Sequence, residues 1–381
     1  MSGGTRCNIT HATDNRGIVE AFGTQGRFLH SALAAFSVDQ TIEFFEGEGV
    51  LTKIEETGKV FPVSNKAADV LQALLTRLEH SGAALAVEEP VRTVFRTGDF
   101  FAIETPRRKL ETARLIVTTG GQSYPGSGTT GDGYAMARDF GHTIKPPRPA
   151  LVPIRIVENW LADLRGITLS DVQVTLAEAA KKLAQRRGAL LFAHFGLTGP
   201  VILDLSRHVS GHLTPTHLRL FLDFLPDLSE SELETNLKDL SVTSARKQLG
   251  HVVAPGLPRR LVEMLLARAG FAADRRASCI TRDERGRLLQ FLKRFELSVQ
   301  GTLGFGKAEV TAGGVELAEV DSRTMESKKQ PGLYIAGELL DLDGPIGGYN
   351  FQAAFSTGWL AGASAGRASS GSSIVLPLVS D

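Results

Sequence analysis

The stretch from Gly332 to Gln352 constrains this chain more than any other part of it. An apolar run, Leu333-Tyr334-Ile335-Ala336, ends at Gly337, and the carboxylate of Glu338 follows at once. Asp341 and a Gly347-Gly348 turn then lead through Tyr349 and Asn350 into an apolar segment with helical spacing. A buried strand of this kind belongs to a sheet covered on both faces. Glycine at its end lets a ligand pass close to the backbone. A helix start offers N–H groups and partial positive charge. In open α/β sheets, ligands bind beyond the carboxyl ends of the strands, so Glu338 is a candidate acceptor for ligand hydroxyls.

Two more glycine-rich constellations share this logic. Thr118-Thr119-Gly120-Gly121-Gln122-Ser123-Tyr124-Pro125 closes an apolar strand, and Gly131-Asp132-Gly133 opens a helix. Asp132 is placed there as a helix cap or as a hydroxyl acceptor. Ser2-Gly3-Gly4-Thr5-Arg6-Cys7-Asn8 offers close backbone approach at Gly3 and Gly4, a phosphate-binding guanidinium at Arg6, and a donor and acceptor at Asn8. Taken singly, the first of these also reads as a strand-turn-helix, and the second as a loose chain end.

Charge and cysteine usage narrow the function. Lys+Arg and Asp+Glu are both 42, so the formal net charge is zero. No global field draws the chain to nucleic acid or anionic lipid, and a small-molecule substrate is expected instead. The longest apolar runs fall far short of the roughly 20 residues that cross a bilayer, which implies no membrane partner and a cytoplasmic home. Cys7 and Cys279 are too far apart for a CxxC pair or a zinc spacing, so no metal is expected. The oligomeric state has no sequence signal.

With 381 residues and 42% hydrophobic content, the chain is expected to form two or three domains. Spacing predicts two short helices within 26–49, with Ser37 as a cap signal, and an amphipathic helix over 66–81 stopped by Gly82. Short strands follow at 84–87, 91–96, 100–105 and 109–111, then the apolar strand 113–119. From Pro146 the texture is β-rich, and 227–294 carries helical periodicity. The expected division is 1–146 with 310–366, an inserted β domain over 147–226 with 295–309, a helical insertion at 227–294, and a flexible tail at 367–381.

Together these motifs resemble a bacterial flavoprotein family, the aminoacetone-oxidase-like or NAD(P)/FAD-dependent oxidoreductases, from Ser2 to about Ala365. The matching stretches are Ser2 to Thr10, Thr118 to Tyr134, Leu191 to Pro200, Val310 to Val315 and the block ending at Gln352. The resemblance implies an α/β fold, with a Rossmann-like FAD-binding domain holding an inserted β domain and a small helical domain. It further implies that Gly3, Gly4, Arg6, Cys7 and Asn8 lie along FAD, and that Val91 meets the adenine. Gly120, Gly121 and Asp132 would border the cofactor, while Gly337, Glu338, Asp341 and Gly347 to Asn350 would hold the ribityl chain and ring. The helix start after Gly348 suits the negative charge of a reduced flavin.

Hydride transfer from NAD(P)H through FAD to a small organic substrate, such as an activated C=C bond, is the expected activity. Tyr124 and His194 are candidate proton donors, although His194 lies in an apolar run typical of core histidines. An amine-oxidising flavoenzyme is the alternative. Family members begin with a strand and a Gly-x-Gly-x-x-Gly turn before the Ser-Gly-Gly motif, whereas here Met1 directly precedes it. The resemblance therefore implies an N-terminus short by roughly 30 residues. A truncated remnant that only binds is the corresponding non-enzymatic reading.

Overall fold

Ser37 stops one helix and starts another, because its hydroxyl accepts from the Gln40 amide while the Gln40 side chain accepts from the Ser37 amide. The helix Val38–Gly47 that follows packs Phe45 inward. This belongs to a computed structural model that describes residues 6–272 and 274–367. Gly3, Gly4 and the tail residues 368–381 lie outside the described residues. The chain divides into one unit of 1–148 with 309–381 and a second of 149–308.

At the centre of the first unit, Leu115–Val117 and Leu333–Ile335 run parallel, with Leu115 opposite Leu333. The second strand is held on its other side by Met325 and Ser327, through Ile335 N to Met325 O at 3.0 Å and Ser327 N to Leu333 O at 2.7 Å. A meander of Thr93–Thr97, Phe100–Glu104 and Lys109–Thr112 packs Phe101 into the same core. The closing helix, Tyr349–Arg367, buries Ala353, Leu360, Ala361 and Ala365 there. Its other face meets a small antiparallel sheet of Thr10–His11, Lys59–Pro62 and Thr52–Ile54. The mixed α/β character is that of a Rossmann-like domain.

Three local expectations need correction. Residues 84–87 form no strand: Leu85 and Val87 are exposed, and β-forming residues without a partner edge stay irregular. The apolar run 113–119 contributes only Leu115–Val117, since the chain must turn at Gly120, φ +76°. Asp132 is the first residue of the helix Asp132–Asp139 rather than its cap, a position held by Gly131 at φ +85°.

In the second unit, a six-stranded barrel closes in the order Thr168–Glu178, Lys181–Ala193, Gly196–Thr198, Ile154–Ile156, Phe295–Thr302, Leu218–Asp223. Alternation along these strands sends Val172, Val174 and Leu176 inward. Helix Pro200–Ser210 adds Val201, Ile202, Leu205 and Val209 to the same core. Helices Glu230–Thr243, Arg259–Arg268 and Arg282–Lys293 join it through Leu237, Leu261, Leu265, Leu288 and Leu292. Ser229 and Thr281 start two of them with capping boxes. Among the described residues, no helix is long and apolar enough to cross a membrane.

Candidate active site

Glu338 follows the parallel strand within the short turn Gly337–Leu339, and its environment is built from three other parts of the chain. Its Oε1 accepts from the Thr311 amide at 2.5 Å. The Thr311 hydroxyl in turn accepts from the Gln122 and Ser123 amides at 2.8 and 3.1 Å, and bonds the Ser123 hydroxyl at 2.9 Å. These bonds draw the Gly120-Gly121 turn over the carboxyl. A Cβ on Gly121 would come within 2.3 Å of Thr311 Oγ1 and 3.1 Å of Glu338 Oε1, so the approach requires glycine. Burial pushes the Glu338 carboxyl up to about 7; the Thr311 bonds oppose the rise and the Asp343 charge adds to it.

The same turn is anchored to the closing helix, since the Gly337 amide donates to Thr357 Oγ1 at 3.0 Å. Along that helix, Thr357 lies nine residues beyond Gly348, about 13 Å at 1.5 Å per residue. At its start, Gly348 (φ +95°) packs on the Thr10 backbone, where a Cβ would meet Thr10 C and O at 2.5 Å. The carbonyl of Gly347 (φ +129°) accepts from His11 Nδ1 at 3.0 Å, and the His11 ring stacks on Tyr349 at 4.5 Å. Asn350 closes the preceding loop by accepting from the Gly344 amide at 2.8 Å and donating to Gly344 O at 3.1 Å. Gln352, fully buried, accepts from Thr10 Oγ1 at 2.6 Å and donates to Thr41 and Ser356 at 2.9 and 3.0 Å.

Residues 7–11 therefore run against the start of the closing helix. Cys7 is buried beside Phe45 and Val70, and burial pushes its thiol up to about 11. Asn8 has a buried Oδ1 with no hydrogen-bond partner among the described residues. Arg6 lies over the Phe61 ring and pairs with Glu55. Asp341 is held by Lys145 at 2.9 Å and by Gln25. Asp132 accepts from Thr130 Oγ1 at 2.9 Å.

The remaining candidates stand apart from these bonds. Tyr124 comes directly after Ser123 in left-handed backbone, φ 56°, with its ring about half exposed. Val91 is exposed in irregular chain ahead of Thr93–Thr97. His194 belongs to the second unit and occupies the exposed turn between the strands Lys181–Ala193 and Gly196–Thr198, edge-on to Phe195 at 4.9 Å. It is not a core histidine, because a two-residue turn projects it from the hairpin.

Sequence reading missed Thr311, Thr10, Gln352 and Tyr134. Thr311 lay in view within the Val310–Val315 segment, whose Gly313 and Gly314 mark close backbone approach. Among the described residues the buried Tyr134 hydroxyl has no partner; burial first, then the charges of Glu338 and Asp341, push its phenol well above the usual range. Nothing in the sequence separates that tyrosine from an ordinary amphipathic helix residue.

A family model described as the HI0933-like protein Rossmann domain matches residues 1–364. A 3-dehydro-bile acid delta(4,6)-reductase of Clostridium scindens is 31% identical over 369 residues, covering 96% of this chain and 88% of that protein. The ribosomal RNA dihydrouridine synthase of Escherichia coli is 32% identical over 360 residues, covering 94% of this chain and 86% of that protein. Its namesake in Haemophilus influenzae is 32% identical over 375 residues, with 96% and 89% covered.

Proposed function

Because the chain belongs to the HI0933-like Rossmann-domain family, we propose that it is an FAD-dependent reductase of a C=C bond conjugated to a carbonyl, with NAD(P)H as the electron donor. The names of its relatives support this choice of bond. One is a reductase of a 3-dehydro steroid with double bonds at positions 4 and 6, and the others convert uridine to dihydrouridine. Both substrates present an alkene polarised by a carbonyl, whose saturation takes a hydride and a proton.

The observation that carries the reading is the packing of Gly121 on Thr311 and Glu338, a backbone approach no side chain permits, beside a carboxyl held near neutrality. The residues also fit a flavin ring. Asn8 Oδ1 is a buried acceptor without a donor among the described residues, and a ring N–H would satisfy it. The start of a 19-residue helix at Tyr349 suits the anionic reduced ring. In this reading Asn8, Gly120, Gly121, Gly337 and Gly347 to Asn350 line the cofactor, with Arg6 and Cys7 flanking it. Glu338 and Asp341 take its hydroxyls. A bound flavin supplies the hydride chemistry.

The chain's own contribution is placement and the proton. Tyr124, tethered beside the Thr311 cluster through Ser123, donates its phenolic proton to the substrate carbon next to the carbonyl as the alkene is reduced. Glu338 holds its cofactor hydroxyl in either protonation state, because a carboxyl near neutrality can accept or donate. The test is direct. Protein incubated with FAD and desalted should stay yellow, bleach anaerobically with NADH or NADPH, and regain colour on adding a conjugated enone or uridine-containing RNA. A colourless protein, or a bleached one that neither substrate reoxidises, refutes the proposal.

A further inference from the structure

The helix Asp132–Asp139 carries one buried polar group to which the scaffold gives no work. Tyr134, in its first turn, is 3% exposed, and among the described residues its hydroxyl has no hydrogen-bond partner. Buried tyrosines ordinarily set that hydroxyl against a donor or acceptor, because a bare one forfeits the bonds it makes with water. The ring itself belongs to the apolar core with Val117, Ala137 and Leu339. Phenylalanine would fill that core as well, so the hydroxyl is the part that calls for an explanation.

Two contacts bring this tyrosine beside the Glu338 carboxyl. Gly133, the residue before it, lies so close to the end of one central strand and to the Glu338 turn that a Cβ there would meet Thr119 Oγ1 at 2.0 Å and Leu339 Cδ1 at 3.0 Å. Gly133 and Leu339 therefore adjoin, and each is one residue from Tyr134 or Glu338. The same helix packs on Val310–Val315, the strand whose Thr311 amide holds Glu338. The phenol also lies within the field of the Glu338 and Asp341 charges, which add to the effect of burial upon it.

Glu338 is engaged on one side only. Its Oε1 accepts from the Thr311 amide, and among the described residues no hydrogen bond reaches Oε2. Tyr134 and Glu338 do not bond each other either. Two neighbouring polar groups of this kind are matched by one small group that accepts from the first and donates to the second. A carboxylate or phosphate only accepts and an ammonium only donates, whereas an alcohol hydroxyl does both.

We propose that Tyr134 and Glu338 hold a single hydroxyl of the flavin cofactor's sugar portion between them, the phenol donating to it and the hydroxyl donating to Glu338 Oε2. This rests on the reading of the protein as an FAD-binding enzyme. Above about pH 7, where Glu338 is ionised and can only accept, the direction of both bonds is fixed.

The test is a fluorescence titration of the full chain, freed of cofactor, at pH 8 with FAD, riboflavin and lumiflavin, the last being the ring without any hydroxyl chain. Tyr134→Phe should raise the FAD dissociation constant about tenfold and leave the response to lumiflavin as in wild type. The same loss with riboflavin assigns the hydroxyl to the ribityl chain, and a loss with FAD alone assigns it to the ribose. Tyr134→Phe/Glu338→Ala should weaken FAD by less than the product of the two single losses, because one hydroxyl serves both side chains. Without cofactor the sign reverses. Tyr134→Phe then removes a polar group that has no partner, so its urea midpoint should equal or exceed that of wild type, whereas a hydroxyl satisfied by the fold or by a buried water would lower it. An FAD constant unmoved by Tyr134→Phe, an equal loss with lumiflavin, fully multiplicative losses in the double variant, or a lower urea midpoint overturns the proposal. A wild type that binds none of the three flavins refutes the cofactor reading and this role with it. A wild type that binds FAD no more tightly than Tyr134→Phe does sinks the role of the tyrosine alone.

Discussion

Replacing Glu338 by Gln tests the electrostatics of the site without any cofactor. The carboxyl titrates near 4.5 when free and near 7 in the fold, with burial as the main cause. The folded state therefore binds more protons than the unfolded state between those values, so this group's stabilising contribution is full below about pH 4.5 and is lost as pH rises through about 7. A rise of about 2.5 units at 1.36 kcal/mol each is about 3 kcal/mol, reduced to about 2 by the partial exposure of the side chain. Glutamine accepts from the Thr311 amide as the protonated acid does, but it cannot ionise. Urea unfolding of the cofactor-free protein at steps from pH 5 to pH 8 should show wild type losing about 2 kcal/mol relative to Glu338→Gln across that span. Parallel stability curves would show that the carboxyl is not destabilised when charged, and the argument for its burial would fail.

Other perturbations probe the scaffold and the cofactor. Glu338→Ala should weaken FAD by about 1 to 3 kcal/mol through loss of its hydrogen bonds to buried hydroxyls, read as a shift in the FAD dissociation constant; an unchanged constant would misplace the carboxylate. Gly348→Ala forces a Cβ into the Thr10 backbone at left-handed φ and should lower the unfolding free energy by about 3 kcal/mol or more, measured in urea. Gln352→Leu strands the buried Thr10 hydroxyl and removes the donor to Thr41, and it should destabilise by about 2 to 4 kcal/mol, whereas a neutral effect would deny the network any role. Cys7, with its thiol held near 11, should react with iodoacetamide at pH 8 more than tenfold more slowly in the native protein than in urea, as mapped on its peptide.

Local signals in the chain were readable where one residue type enforces one geometry. Ser37 with Gln40 announces a capped helix, and Gly82, at φ +72°, ends the helix Ala67–His80. The strand ending before Gly337 and the turn at Gly120 were legible because buried apolar runs halted by glycine have few other uses. Closure of the barrel was not legible. It depends on register, including the irregularities between Leu169 and Val172 and between Leu176 and Ala177, and on the three-residue strand Gly196–Thr198, too short for any periodicity. Residues 84–87 misled because alternation describes a strand only where an edge exists to receive it. The Glu338 loop stood out by its motif, yet its anchor, Thr311, is joined to it by a contact 27 positions away that no spacing rule reaches.

The parallel pair at the centre of the first unit also sets a timetable. Leu115–Val117 leaves the ribosome about 200 residues before Leu333–Ile335, and at roughly 5 to 20 residues per second that is a delay of about 10 to 40 s. Throughout that interval Val117, destined for the core, lacks its parallel partner strand. The chain made meanwhile contains the whole barrel, whose strands pair only among themselves and leave no long edge in the finished ring. The barrel's last strand, Phe295–Thr302, is made late in the delay, so for most of that time both units stand unfinished together.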